Sequence, residues 1–349
     1  MRILVTGHTG YIGSRLTPML LSAGYDVTGL DTDLFRNCTF VGELADVPHV
    51  RKDVRDVSIE DVSGFDAIIH LAALSNDPLG DYNPGLTETI NDEASVNLAK
   101  LAKQAGVERF LFASSCSNYG AAGQDFMTED STLDPITAYG VSKVAVERAV
   151  GPTADDSFCP VFLRASTAYG VSPRLRFDLV LNNLTAWAFT TGKVLLKSDG
   201  SPWRPVVHVE DICRAYMALL EAPADSVRSQ AFNIGTTTEN YQIRDLAETV
   251  AEVVPNCEVS FADDAAPDKR CYRVDCNKIA KEVPGFKPQW TIRHGAVELY
   301  ETYKAVGLTL EDFEGQRFQR IAHVKHLIDQ GSLDSSLRWV ADLETESAA

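Results

Sequence analysis

A tyrosine and a lysine four residues apart are the pair in this chain best suited to proton transfer. Tyr139 and Lys143 lie in the run Tyr-Gly-Val-Ser-Lys, in a predicted helix that begins near Thr137. Residues four apart share one face of a helix and can interact. A free tyrosine, with a pKa of about 10, is a poor base at neutral pH, but a neighbouring ammonium favours the phenolate. The spacing therefore predicts a tyrosine that takes a hydroxyl proton while hydride leaves the same carbon.

A serine-rich turn precedes this pair in the sequence. The run Ser114 to Gly120 follows directly on Arg109 to Ala113, a predicted strand. A serine hydroxyl donates one hydrogen bond and accepts others. We therefore expect a serine of this turn to hold the alcohol or ketone oxygen of a substrate beside the tyrosine.

Three glycines near the start of the chain predict a dinucleotide site. Gly7, Gly10 and Gly13 follow an apolar strand, Arg2 to Thr6, and open an apolar helix. The first permits a tight turn, the second lets backbone N–H groups approach a pyrophosphate, and the third lets the helix pack closely on the sheet. The helix N-terminus adds a partial positive charge. A glycine-rich turn in an unrelated α/β protein is the alternative interpretation.

An acidic residue at the end of the second predicted strand favours NAD over NADP. The second predicted strand, Asp26 to Leu30, is followed by Asp31, which lies eighteen residues after Gly13. A carboxylate there binds both hydroxyls of an adenosine ribose and repels a 2′-phosphate. Further along, Asp53 and Val54 form an acid–apolar pair that could cap an adenine ring, although a plain loop acid is an equal alternative.

Strands and helices alternate through the first half of the chain. Phe65 to Leu71 is a predicted strand, Thr87 to Gln104 a helix, and Arg109 to Ala113 the next strand. Such alternation predicts an α/β fold with a Rossmann-type, doubly wound parallel sheet. Ligands of such sheets bind at the carboxyl ends of the strands, which is where the motifs above fall.

Composition excludes several classes of partner. The chain has 349 residues, 45% of them hydrophobic and 23% charged, with a net charge of −17. That charge argues against binding nucleic acid or an anionic membrane, and no apolar run reaches transmembrane length. The seven cysteines form no Cys-x-x-Cys pair, and the histidines show no metal-ligand spacing. No signal peptide precedes the first strand, so we expect reduced thiols, no metal and a cytoplasmic location.

Over about residues 1 to 300, the chain resembles the extended short-chain dehydrogenases/reductases, in their branch of nucleotide-sugar epimerases and dehydratases. The motifs that carry the resemblance are Gly7-x-x-Gly10-x-x-Gly13, Asp31, Asp53-Val54, His70-Leu71-Ala72-Ala73, Asn91, Ser114 to Gly120, Tyr139-x-x-x-Lys143, Leu163-Arg164, Tyr169-Gly170 and Arg204 to Asp211. It implies an NAD-binding domain over 1–165, to which roughly 206–235 return, and a smaller substrate-binding lobe over 166–306.

The resemblance also implies roles for individual residues. Tyr139 would be the general base, Lys143 would bind the nicotinamide ribose, and Ser115 matches the catalytic serine or threonine of the family. The implied NAD-binding residues are Gly7, Gly10, Tyr11, Ile12, Gly13, Asp31, Asp53, Val54, Leu71, Ala72, Ala73, Asn91, Ser114, Tyr139 and Lys143. The implied residues for a nucleotide-diphosphate sugar are Ser75, Ser115, Cys116, Ser117, Thr167, Arg174, Arg176, Arg204 and Arg270. Arg204 would hold the diphosphate, because the planar guanidinium binds phosphate oxygens in pairs.

Two positions depart from the family pattern. The 4,6-dehydratases carry Asp-Glu directly after the catalytic threonine, and the sugar-acid decarboxylases carry Glu at the second of these positions. Here the residues are Cys116 and Ser117. Cys116 is either an acid with a shifted role or a small filler behind the serine. The remaining chemistry is oxidation and re-reduction at one carbon, so we expect an NAD-dependent nucleotide-sugar 4-epimerase.

Three alternatives stay open at this point. The first is a nucleotide-sugar ketoreductase, and the second is a dehydratase or an epimerase acting at another carbon. The third is an NAD-sensing binding protein without catalysis, although such proteins typically lose the tyrosine–lysine pair.

Residues 307–349 extend beyond the family core. His323 to Gln330 and Ser332 to Trp339 predict a short helical appendage. The resemblance further implies a homodimer that pairs the helices near Thr87 to Gln104 and Tyr139 to Val150.

Overall fold

A seven-stranded parallel sheet forms the centre of the molecule. The structure is a computed structural model that describes residues 1–75, 83–123, 125–196, 198–261 and 271–340. Its strands are β1 Arg2–Thr6, β2 Asp26–Asp31, β3 His49–Arg51, β4 Ala67–His70, β5 Arg109–Ser115, β6 Phe126–Met127, β7 Cys159–Ala165, β8 Thr167–Tyr169, β9 Lys193–Leu196, β10 Trp203–His208, β11 Gln230–Ile234, β12 Asn240–Gln242, β13 Glu258–Phe261 and β14 Arg273–Val274. The central sheet has the order β11-β7-β5-β4-β1-β2-β3.

Helices pack on both faces of this sheet and around a further apolar core beyond it. They are α1 Gly13–Ser22, α2 Ile59–Val62, α3 Pro84–Thr87, α4 Ala94–Gln104, α5 Ala138–Val150, α6 Val180–Thr191, α7 Val209–Glu221, α8 Ala224–Val227, α9 Ile243–Val253, α10 Asn277–Glu282, α11 Ile292–Val306, α12 Leu310–Glu314 and α13 Arg320–Asp329. A π-helical segment, Glu88–Glu93, joins α3 to α4.

The uninterrupted apolar runs of the inner strands explain the parallel arrangement. Ile3, Leu4 and Val5 of β1 are fully buried, as are Ile68 and Ile69 of β4. Alternate residues point to opposite faces, so one core contains β1 with α1 and α7 and another contains β1 with α4 and α5. Strands buried on both faces are typical of parallel sheets. The predicted α/β fold with a Rossmann-type sheet is confirmed.

A further apolar core lies beyond the central sheet. It joins α6, α9 and α11 around side chains such as Leu181, Leu246 and Leu299. Strands β12, β10 and β8 form a small sheet beside it. The chain returns to the central sheet at β11, which pairs with β7.

Two predicted elements differ from the structure. The helix predicted from Thr87 begins at Pro84, because the side chain of Asn83 accepts a hydrogen bond from Leu86 N and caps the helix. Residues 332–340 form no helix, since Leu333 and Trp339 pair as an antiparallel bridge. The Asp334 side chain accepts hydrogen bonds from backbone N–H groups two and four residues ahead, a local pattern that competes with helix formation.

Candidate active site

A cavity of about 830 Å³ opens at the carboxyl ends of the central strands. Most of the site residues predicted from the sequence line it: Gly7, Gly10, Tyr11, Ile12, Gly13, Asp31, Asp53, Val54, Leu71, Ala72, Ala73, Ser75, Ser114, Ser115, Ser117, Tyr139, Lys143, Thr167, Arg176 and Arg204. They come from segments far apart in sequence, and the parallel sheet brings them together because all its strands end at this edge.

The glycine turn after β1 fits closely against the turn after β4. Gly7 has a φ of +74°, and a Cβ placed there would lie 2.7 Å from the backbone nitrogen of Ala72. A Cβ at Gly13 would lie 2.3 Å from the carbonyl oxygen of Gly7. Only glycine fits these two positions, so the turn can present its N–H groups and the N-terminus of α1 to a dinucleotide phosphate.

The carboxylate of Asp31 is held in place at the far end of the cavity. It accepts hydrogen bonds from Thr9 N at 3.2 Å and from Asp33 N at 3.0 Å. This orientation leaves it on the cavity wall, where it suits the ribose hydroxyls of NAD. Nearby, Asp53 forms a paired contact with Arg55, with distances of 2.9 Å from Nε and 2.6 Å from Nη2.

Tyr139 and Lys143 lie on α5 and line the cavity. Thr137 caps this helix by accepting a hydrogen bond from Gly140 N. The Lys143 side chain is 1% exposed, and its Nζ lies 5.4 Å from the ring centre of Tyr139 and 4.6 Å from that of Phe112. Burial lowers the pKa of Lys143 to about 7, while the charge of Glu147 opposes this shift. The lysine can therefore place or remove a positive charge beside the phenol near neutral pH.

This burial predicts a pH dependence of stability. Between pH 7 and the ordinary lysine pKa of 10.5, the unfolded chain binds the Lys143 proton more tightly than the folded chain. The free energy of unfolding of the cofactor-free protein should therefore rise with pH through this window. Urea unfolding at pH 7, 8 and 9 should show a smaller rise for Lys143→Met than for the wild type. The exposed control Lys100→Met should keep the wild-type rise, and equal slopes for all three proteins would contradict the prediction.

A buried polar network supports the serine turn after β5. Ser114 Oγ donates to Glu147, and Glu147 pairs with Arg164 at 2.6 Å. Arg164 Nη1 also donates to Tyr119 OH at 3.0 Å. The network ties the end of β5 to α5 and thereby fixes Ser115 relative to the tyrosine–lysine pair. Ser115 Oγ itself accepts from Ser117 N at 3.1 Å.

Three predicted site residues lie behind the cavity wall. Cys116 is fully buried and its Sγ donates to Arg164 O, because the turn directs it into the core. Asn91 exchanges two hydrogen bonds with the backbone of Leu74, at 2.8 and 3.0 Å, and so shapes the turn after β4. Arg174 is buried and donates to Phe35 O. These positions correct the expectation that the three side chains contact a ligand directly.

Two arginines predicted to bind the substrate line the cavity. Arg204 is 8% exposed and lies 5.9 Å from the ring centre of Tyr272. Arg176 pairs with Asp178 at 2.6 Å and reaches Ser75 Oγ at 3.3 Å. Arg270, predicted to complete a diphosphate clamp, lies outside the described residues.

Sequence reasoning missed part of the wall beside Asp31. The additional lining residues there are Thr32, Leu34, Phe35, Lys52, Arg320 and Leu337. The loop after β2 has no periodic pattern that could indicate which of its residues line the cavity. Arg320 and Leu337 come from the end of the chain, so no local motif could indicate them.

Two kinds of feature are absent from the described ranges. None of the helices there combines the length and the apolar character that a membrane span requires. The same residues contain no group of three or more His, Cys, Asp or Glu side chains placed to hold a metal ion.

The sheet, the glycine turn, Asp31 and the tyrosine–lysine pair together define a dinucleotide-binding protein of the short-chain dehydrogenase/reductase type. Comparison with known families makes this more specific. The model of the NAD dependent epimerase/dehydratase family matches residues 3–235, and the chain belongs to that family. NAD is its cofactor, and the glycine turn and Asp31 suit this dinucleotide.

Curated relatives have several activities. UDP-glucose 4-epimerases from Corynebacterium glutamicum and Bacillus subtilis are each 28% identical to this chain. The alignments cover 85% and 86% of this chain and 94% of each relative. UDP-glucuronic acid decarboxylase 4 of Arabidopsis thaliana is 27% identical, over 84% of this chain and 67% of its own length. Relatives with similar sequence identity to this chain therefore catalyse different reactions.

Solved structures show the same architecture. MoeE5, solved in complex with UDP-glucuronic acid and NAD, is 27% identical with a TM-score of 0.74, over 87% of this chain and 99% of its own. TunA, an NAD-dependent NDP-hexosamine 5,6-dehydratase, superposes with a TM-score of 0.77 at 24% identity, over 87% of this chain and 98% of its own, and shows the fold.

Proposed function

We propose that this chain is an NAD-dependent nucleotide-sugar 4-epimerase. The observation that carries the proposal is the composition of the cavity wall beside the tyrosine–lysine pair. The two residues after Ser115 are a buried cysteine and a serine. Among the described lining residues, the carboxylates are Asp31, Asp53 and Asp178, and the last is paired with Arg176.

This wall favours chemistry at a single carbon. Elimination of water requires one group to remove a proton and another to protonate the leaving hydroxyl. The described residues next to Ser115 offer no carboxyl group for either task. Transient oxidation and re-reduction of a hydroxyl-bearing carbon needs only a base, a hydrogen-bond donor and NAD.

The side chains have distinct tasks in such a reaction. NAD, when bound, would supply reversible hydride transfer with the sugar. Tyr139 takes the proton of the C4 hydroxyl and later gives it back. The Lys143 ammonium stabilises the phenolate by its charge. Ser115 donates a hydrogen bond to the C4 oxygen and holds that carbon in reach of the tyrosine.

The other end of the sugar nucleotide needs cationic partners. Arg204 and Arg176 line the cavity and can bind the diphosphate through their planar guanidinium groups. Thr167 and Ser117 offer hydroxyls to the sugar between the diphosphate and Ser115. A sugar that is held by its diphosphate can present either face of C4 after rotation, which inversion at that carbon requires.

Cys116 should be dispensable for this reaction. Because its side chain points into the core, Cys116→Ala should keep turnover within about twofold of the wild type and lower the free energy of unfolding by about 1 kcal/mol. Steady-state assays and urea unfolding measure the two quantities. The half-buried control Cys257→Ala should change neither. A loss of turnover above tenfold in a folded Cys116→Ala variant would return this cysteine to the catalytic machinery.

Proton NMR of nucleotide sugars incubated with the purified protein tests the proposed function. UDP-glucose and UDP-glucuronic acid are the first substrates to try, since related proteins act on or bind them. Appearance of the C4 epimer without added cofactor supports the proposal. Loss of a C5 or C6 proton signal would indicate a dehydratase instead. Turnover only of keto-sugars with added NADH would indicate a ketoreductase.

We also propose that the protein is a cytoplasmic homodimer. All seven cysteines are described, and none is in a disulfide. Val141 on α5 and Ile136 just before it are each 52% exposed, and burial in a helix–helix interface would remove this apolar surface from water. Light scattering of the purified protein measures the oligomeric state.

A further inference from the structure

The C-terminal segment, residues 315–340, packs across the loop that follows β2. Trp339 Nε1 donates to Thr32 O at 2.7 Å, and His323 Nε2 donates to Leu34 O at 3.1 Å. Arg317 Nε donates to Asn37 O at 2.9 Å. The segment therefore anchors three points of a loop that forms one wall of the cavity.

This contact includes the apolar core under the cofactor site. Val324 and Leu337 are buried in the same cluster as Leu30 and Val54. Leu337 also lines the cavity, as Val54 does. It has a φ of +61°, a left-handed conformation that is strained for a leucine. The turn at Asp334 holds it there, so the fold places this side chain against the cavity despite the strain.

Arg320 brings a buried positive charge to the same wall. The residue is 9% exposed, and its guanidinium lies 3.7 Å from the ring centre of Phe35. Its Nη2 donates to Arg174 O at 3.2 Å. In the part of the chain that the structure describes, no carboxylate forms an ion pair with it. Burial lowers the pKa of Arg320 to about 10. The charge of Arg176 contributes to this shift, and the charge of the Asp178 carboxylate opposes it.

A buried cation without an anionic partner is costly, and a bound anion removes that cost. The cavity is a dinucleotide site, so the pyrophosphate of NAD is an anion that enters it by necessity. We propose that the C-terminal segment is the outer wall of the cofactor site, with Leu337 against the adenine and the Arg320 guanidinium paired with the cofactor phosphates.

The neighbours of Arg320 favour the cofactor over the substrate as its ligand. Leu34 and Phe35 lie three and four residues after Asp31, the residue that suits the adenosine ribose, and line the same cavity. Leu337 lines the cavity with Asp53 and Val54, at the predicted adenine end. This inference concerns NAD and does not depend on the sugar or on the carbon at which the enzyme acts.

Calorimetric titration of cofactor-free protein with NAD and, separately, with UDP tests the proposal. Arg320→Gln should raise the Kd for NAD by about 10- to 100-fold, the range expected for loss of a charge-assisted hydrogen bond, and leave the Kd for UDP unchanged. Arg317→Gln is the matched control, because it removes an arginine of the same segment that does not line the cavity. Its Kd for NAD should stay within about twofold of the wild type.

Three results would overturn the proposal. The first is a weaker affinity of Arg320→Gln for UDP with unchanged affinity for NAD, which would assign Arg320 to the substrate diphosphate. The second is unchanged affinity of Arg320→Gln for both ligands. The third is an equal loss of NAD affinity in Arg320→Gln and Arg317→Gln. Should Arg320→Gln fail to fold, Arg320→Lys and Leu337→Ala take its place. Each variant should still raise the Kd for NAD at least threefold without changing the Kd for UDP. Wild-type affinity for NAD in both variants would equally reject the proposal.

Discussion

Replacement of Tyr139 by phenylalanine should lower turnover by about 10³-fold and leave the affinity for NAD within about threefold of the wild type. The phenol is the group to which we assign proton transfer, and loss of a positioned base typically lowers turnover by 10²- to 10⁴-fold. The ring itself remains, so its packing beside Lys143 Nζ, 5.4 Å away, is retained. Turnover is measured by NMR on the sugar that the wild type converts, and affinity by calorimetry.

The control for this prediction is another tyrosine. Tyr300→Phe removes a hydroxyl from α11, away from the residues that line the cavity, and should leave turnover unchanged. A Tyr139→Phe variant that retains more than a tenth of wild-type turnover would exclude Tyr139 as the base. Loss of NAD binding in step with turnover would instead assign the tyrosine to cofactor binding alone.

Replacement of Glu147 by glutamine should lower the free energy of unfolding by about 3–5 kcal/mol. Glu147 and Arg164 pair at 2.6 Å with side chains only 8% and 6% exposed. Removal of the carboxylate charge leaves the Arg164 guanidinium buried and unpaired, and breaking a buried pair in this way typically costs that amount. Urea unfolding, followed by circular dichroism at pH 7.5, measures the change.

An exposed ion pair provides the matched control. Glu252 and Arg293 lie 2.5 Å apart with side chains 64% and 60% exposed. Glu252→Gln should cost less than about 1 kcal/mol, since water and salt screen exposed charges. In a double-mutant cycle, adding Arg164→Met to Glu147→Gln should recover part of the loss. Similar losses for the two single glutamine variants would contradict the argument that burial makes the Glu147 pair important.

Lys143 and the buried Glu147–Arg164 pair are connected through one helix. Lys143 and Glu147 are four residues apart on α5, and the carboxylate opposes the fall in the lysine pKa that burial causes. Loss of the Glu147 charge should thus make the Lys143 ammonium still easier to neutralise. Any fall in turnover of Glu147→Gln at pH 7.5 should therefore become smaller at pH 6.5.

The sequence by itself determined the central sheet and most of the residues that line the candidate site. Uninterrupted apolar runs predicted β1 and β5, and helical spacing placed Tyr139 beside Lys143. These features are local, because hydrophobic periodicity and turn residues act over a few positions. Parallel sheets then collect such motifs at one edge by a general rule of topology.

Only the tertiary structure decided which side of the wall each residue occupies. Cys116 follows Ser115 directly, yet the turn sends it into the core, and Asn91 supports a backbone turn behind the cavity. Neighbouring positions in a turn point in directions that the sequence pattern does not specify, since no fixed period relates them.

The cavity wall beside Asp31 depended most on long-range packing. Arg320 and Leu337 lie more than 280 residues from Asp31 in the sequence, and no motif links them. Residues 332–339, predicted to be helical, form a bridged turn because the Asp334 side chain accepts hydrogen bonds from the backbone N–H groups of Ser336 and Arg338. The contact of this turn with the loop after β2 is a product of burial and hydrogen bonding between distant segments, and such contacts leave no periodic signal in the sequence.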